Sequence, residues 1–244
     1  MPTFTQRPLT KHVFGYLFNW SLWYLGTMLI SHLIFLWLAG RYDQSIGSFL
    51  PFTYYTTTIF MFVAGIFIPY VFLPFKKYGY TRKQIFTSSI KASLLTAVTA
   101  IAIIVVITLL QHLIVPELVN PTMADAVIED SSKSVHIDLS GMNSPLYEAL
   151  NYSESWVTTI LVFFASILVY HFIGLLLGMG YYRYGWVIGF IFIAIALGSF
   201  FLFQWIWETD LFSTILLPTV LSVLISLIAA FAAWLLIRNV RIKL

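Results

Sequence analysis

Six times along this chain an apolar stretch runs long enough to cross a lipid bilayer, and that recurrence limits the fold more than any motif does. A spanning helix needs about 20 predominantly apolar residues. The stretches lie at about 13–39, 52–75, 92–115, 156–178, 186–207 and 214–237. In hydrocarbon every backbone N–H and C=O must find a partner, and long unbroken apolar runs meet that demand as helices. The expected fold class is therefore all-α, a polytopic membrane protein with six transmembrane helices in a single domain spanning 1–244. Composition decides one point: 9% of the residues are charged, against roughly 25% in a soluble domain. The first stretch exceeds a signal-peptide apolar region and lacks a small-residue cleavage site before Gly40-Arg41, so it reads as retained.

Charge placement sets the expected orientation. With both termini inside, the inner segments hold Arg7, Lys11, Lys76, Lys77, Arg82, Lys83, Lys91, Arg183, Arg238, Arg241 and Lys243, and the outer ones only Arg41 and Lys133. The positive-inside rule selects cytoplasmic termini. The acidic residues, from Asp43 to Asp210, then fall outside, most of them in the long extracellular loop 116–155. Within that loop Asn151-Tyr152-Ser153 matches a glycosylation acceptor, a triplet that is common by chance. Pro69 and Pro74 stand late in the second stretch, where they are expected to bend or end it.

Between the second and third stretches lies the longest polar segment of the positive side, KKYGYTRKQIFTSSIK from Lys76 to Lys91. Thr81 followed three residues later by Gln84 is a capping-box pattern, and Tyr80 and Ile85 take the positions of a hydrophobic staple. Gly79 permits a sharp turn just upstream. Phe86 and Ile90 share a face, while Arg82, Lys83 and Ser89 sit largely elsewhere. The expectation is a short, basic, capped helix at the membrane surface. Such a helix serves either as a topology-setting loop or as a dock for a soluble partner.

The run Gly79-Tyr80-Thr81-Arg82-Lys83-Gln84-Ile85-Phe86 resembles the G-x-[ST]-R-[KR]-x-x-F element after the second span of ATP-binding-cassette export permeases of the type-two family. The six-stretch layout around it covers the whole chain. The resemblance implies a coupling helix seated in a groove of an ATPase subunit, with Tyr80, Thr81, Arg82, Lys83, Gln84 and Phe86 as contact residues. It also implies a second permease half, the same chain or a different one, and a bacterial cell membrane as the setting. This chain carries no G-x-x-x-x-G-K-[ST] phosphate loop, so it binds no cofactor by this reading, and ATP and Mg belong to the partner subunit. Polysaccharide and lipid exporters of the family usually place re-entrant helices between spans 5 and 6. Here that connection, Glu208 to Ser213, is too short for them, which leaves an amphipathic peptide, toxin, lipid or drug as the expected passenger.

Enzyme chemistry is not expected of the chain itself. The drawn spans contain no carboxylate, which argues against a proton-coupled carrier or an intramembrane metalloprotease. His32, His112 and His171 read as neutral hydrogen-bonding groups between helices. No HExxH pair, no G-x-S-x-G elbow and no cysteine is present, and no basic run suggests nucleic acid. Asn19, Ser21, Ser31 and His32 are polar positions of the first span that suit a pathway or a dimer seam. Ser21 and His32, eleven apart, share a face. Gly174-x-x-x-Gly178 and Gly185-x-x-x-Gly189 are close-packing patterns, expected to join spans 4 and 5, with a dimer interface as the alternative. Tyr181-Tyr182-Arg183-Tyr184 reads as a headgroup anchor. The alternatives kept open are a nucleotide-independent channel or secondary transporter, and a non-transporting membrane anchor or sensor.

Overall fold

The computed structural model describes residues 9–41, 46–115, 119–120, 155–208 and 215–238. Five α-helices make up almost all of them: α1 Leu9–Arg41, α2 Phe49–Phe72, α3 Arg82–Ile114, α4 Trp156–Glu208 and α5 Leu216–Arg238. A 3-10 turn, Leu73–Tyr78, continues α2. Two strands of two residues each, β1 Ile46–Gly47 and β2 Val119–Asn120, pair in parallel and join the α1–α2 connection to the chain just after α3. All five α-helices are long and apolar enough to cross a membrane, which makes this a multi-pass membrane protein. The rest of the loop 116–155, including the triplet Asn151-Tyr152-Ser153, lies outside the described residues apart from Ser155.

The 53-residue α4 would be about 80 Å long if straight. It is not straight, because Gly185 takes φ 79° and ψ −170°, values no helix contains. The limb after Gly185 folds back on the limb before it. A Cβ on Gly180 would run into the Phe192 ring, and one on Gly189 would lie 2.6 Å from the Tyr181 ring. Further along, Tyr170 meets Phe200 and Phe203 at centroid distances of 4.8 and 5.9 Å. These partners approach each other in opposite chain directions, so α4 is an antiparallel hairpin. The expected loop 179–185 is thus helical up to one glycine.

Sequence chemistry explains which faces meet. The buried face of α3 is small and hydroxylated (Ser88, Ser89, Ala92, Ser93, Thr96, Ala97 and Ala100). That of α5 runs Ser222, Ser226, Ala229, Ala230 and Ala233. Small residues let helix backbones approach where lipid offers no hydrophobic drive to pack them. The hydroxyls answer their own helix: Ser89, Ser93, Thr96, Thr108 and Ser226 each donate to the carbonyl four residues back. The donors of these buried hydroxyls are therefore satisfied within their own helix.

The tightest seam joins α2 to the first limb of α4. A Cβ on Gly65 would enter the backbone of His171 to Leu175, and Cβ atoms on Gly174 and Gly178 would enter the carbonyls of Phe62 and Ile66. Gly174 and Gly178, expected to join spans 4 and 5, therefore face α2. The reason is that α2 presents Gly65 opposite them, so two backbones can touch. Gly189 does pack between the α4 limbs, and Gly185 is the bend itself. Across the same seam Tyr54 donates to Ser166 Oγ at 2.9 Å, and His171 Nδ1 lies 3.0 Å from Met61 O.

Candidate functional site

Pro69 stands inside α2, and four residues later Leu73 N–H bonds to Pro69 O as the α-helix ends. Pro74 is the second residue of the 3-10 turn, within the first turn where a missing N–H is tolerated. Gly79 closes that turn in the left-handed region at φ 86°. Two residues later the capping box forms: Thr81 Oγ1 accepts from Gln84 N at 3.2 Å, and Thr81 N donates to Gln84 Oε1 at 2.9 Å. The helix so started does not stop at the membrane surface. It runs 33 residues to Ile114. The short surface helix expected after the Thr81 cap is instead the first turns of α3, because nothing between Ile85 and Ala92 breaks the helix, while Lys76–Tyr78 belong to the 3-10 turn.

The segment has two faces. Ile85 is buried, Phe86 packs against Trp234 at 5.1 Å between centroids, and Arg82 Nη1 donates to Arg238 O at 2.6 Å. From the α4 bend, Arg183 Nη1 donates to Leu236 O at 3.1 Å, with its guanidinium 4.7 Å from the Tyr184 ring. The last carbonyls of a helix have no intrahelical partner and carry the negative end of its dipole. Two guanidiniums therefore cap α5 from two different connections. Lys76, Lys77, Tyr78, Thr81, Lys83, Gln84 and Thr87 remain exposed. Of the six sequence-expected contact residues, Arg82 and Phe86 are engaged inside the chain, Tyr80 is half-buried beside the core, and Thr81, Lys83 and Gln84 are exposed.

One buried cluster at this end holds Leu9, Val13, Phe72, Leu73, Ile85, Met179 and Ile237. The start of α1, the 3-10 turn, the bend at Gly185 and the end of α5 thus come together. Every described lysine and arginine except Arg41 lies on these segments or on the first turns of α3. Glu208, the one carboxylate among the described residues, follows Trp207, which belongs to the opposite cluster with Phe49, Leu50 and Phe163.

The first-span residues do not form one site. Asn19 is exposed, and Ser31 spends its hydroxyl on Thr27 O. Ser21 and His32 share the buried face of α1, and Ser21 donates to Leu17 O. His32 is completely buried between Phe49 and Phe52. Phe49 N in turn donates to Gln111 Oε1 at 2.9 Å. The Gln111 side chain is the polar neighbour of the His32 ring, and Ser48 Oγ makes no hydrogen bond among the described residues. Gln111 and Ser48 were not singled out from the sequence, and Trp234 only as a tryptophan near a span end. Gln111 left a readable signal, as an amide on the Ile104, Thr108, Gln111 face of an apolar helix.

Among the described residues no three histidine or carboxylate side chains gather as metal ligands. No protein-family model, curated protein or solved structure matches the chain.

Proposed function

We propose that this chain is the permease subunit of an ATP-driven exporter in a bacterial cell membrane, crossing it six times with both termini cytoplasmic. The two limbs of α4 supply the fourth and fifth crossings. A separate ATPase subunit, which holds ATP and Mg, docks on the segment from Lys76 to Lys91, and a second permease half completes the transporter. One observation carries the reading: the segment divides into a gripped face and a presented one. Ile85, Phe86 and Arg82 bind it to α5 and the core, while Lys76, Lys77, Tyr78, Lys83 and Gln84 stay exposed. The resemblance of Gly79 to Phe86 to a coupling helix points the same way.

Mechanistically, α3 is a lever. A push on Lys83 passes along one unbroken helix to Gln111, which holds the start of α2 through Phe49 N. The proposed passenger is an amphipathic peptide, toxin, lipid or drug. An aromatic ladder between α1 and α2 offers it an apolar track: Tyr16–Phe72, Trp20–Phe67 and Tyr24–Phe60 meet at 5.7, 5.9 and 4.6 Å.

Purification of the tagged chain in gentle detergent tests the reading. A stoichiometric partner bearing a phosphate loop is expected, and Lys77→Glu with Lys83→Glu should release it while the chain stays folded. A second reading, a carrier or channel working without nucleotide, is favoured by the buried His32, Gln111 and Ser48 groups. A chain that purifies alone and moves solute in liposomes would replace the exporter with that carrier.

A further inference from the structure

Lys76, Arg82, Lys83 and Arg238 line one open cavity of about 690 Å3 between the start of α3 and the end of α5. Tyr80 and Trp234 complete its wall. No described carboxylate is near; Glu208 lies at the other end of the bundle. Arg82 spends one Nη1 hydrogen on Arg238 O, yet its Nε is buried without a hydrogen bond among the described residues. Four like charges around one cavity repel unless an anion joins them. The start of α3, whose helix dipole is positive at this end, belongs to the same wall through Thr81, Arg82 and Lys83.

We propose that this cavity is a site for a phosphate-bearing anionic lipid headgroup. Its volume falls within the range of small-molecule sites, about 300–1,000 Å3. The phosphate meets Lys76, Lys83 and Arg238, and the headgroup lies between the rings of Tyr80 and Trp234. Both rings are amphipathic and suit the depth where headgroup and acyl chain meet. Basic pockets between spanning helices hold anionic headgroups in this manner. The bound lipid joins α3 to α5 at the end where Arg82 already does so. The assignment rests on the membrane reading alone and needs no ATPase.

The test uses the full chain without partners, its occupancy read by native mass spectrometry and its stability by thermal unfolding. Phosphatidylglycerol, phosphatidylcholine and inorganic phosphate are the three probes. Wild-type chain is expected to retain one phosphatidylglycerol and to melt higher with it, but not with phosphatidylcholine or with phosphate. Lys76→Gln with Arg238→Gln should weaken phosphatidylglycerol binding roughly thirtyfold, each cation contributing a factor of about five. Lys77→Gln with Lys91→Gln removes the same charge outside the cavity and should leave binding unchanged. Equal losses in the two pairs would mean unspecific attraction and overturn the site. Stabilisation by phosphate equal to that by lipid would overturn the lipid assignment in favour of a soluble anion. No retained phosphatidylglycerol and an unfolding midpoint unmoved by all three probes would overturn the site.

Discussion

At Gly65, Gly174 and Gly178 a Cβ would enter the backbone of the facing helix, whereas at Gly15, Gly26 and Gly198 it would meet nothing within 4 Å. Backbone cannot swing aside as a side chain can, so a methyl group on the seam forces α2 and α4 apart. Gly174→Ala is expected to cost about 1–3 kcal/mol, the usual penalty for overpacking, seen as a lower unfolding midpoint in detergent. Gly198→Ala should hold or raise the midpoint, since alanine favours a helix by about 1 kcal/mol over glycine. Equal shifts at both positions would show that the seam does not hold the two backbones together. The spacing of Gly174 and Gly178 was readable as a packing surface, but not its partner. A small-residue pattern states that something comes close and leaves open which helix does. The Thr81–Gln84 capping box was readable in full, because both partners lie within one turn of chain.

The two positive-φ glycines do different work for their elements. Gly79, at φ 86° and ψ 2°, is an ordinary left-handed cap, a conformation asparagine also accepts. Gly185, at φ 79° and ψ −170°, is in a region essentially reserved for glycine, where other residues cost about 1–3 kcal/mol. Gly79→Asn should therefore leave the unfolding midpoint nearly unchanged and Gly185→Asn should lower it. If asparagine were tolerated equally at both positions, the bend would not depend on that backbone geometry. The end of α5 offers a second measurement at this scale. Arg82→Gln and Arg183→Gln each weaken a guanidinium cap on its last carbonyls, worth about 1 kcal/mol, so hydrogen exchange over Leu235–Arg238 should rise roughly fivefold. Unchanged exchange in both variants would make the two arginines bystanders. Sequence reading treated Arg82 as a partner contact and Arg183 as a headgroup anchor. Each reaches a carbonyl more than fifty residues away, a pairing that no local pattern encodes.

At the scale of the molecule, the gathering of all described cations except Arg41 at one end predicts which positions share a side of the membrane. The chain has no cysteine, so single reporters need no background removed. Lys77→Cys and Tyr184→Cys should react with an impermeant thiol reagent from one side, and Arg41→Cys only from the other. Tyr184→Cys labelling together with Arg41→Cys would undo the six-crossing layout, because the bend at Gly185 would then lie at the wrong end. Sequence alone determined the all-helical membrane class and the segregation of charge, because bilayer thickness and backbone hydrogen bonding act on each stretch separately. It also determined the start of α3, whose capping groups are neighbours in the chain. Only the tertiary structure decided that α3 runs on unbroken from its cap, that α4 is a hairpin on a single glycine, and that the glycine seam faces α2. It alone brought His32 near Gln111 and formed the open cationic cavity between α3 and α5. Those features arise where residues far apart in the chain meet, and lipid-facing stretches of similar hydropathy carry no signal of which neighbour each will meet.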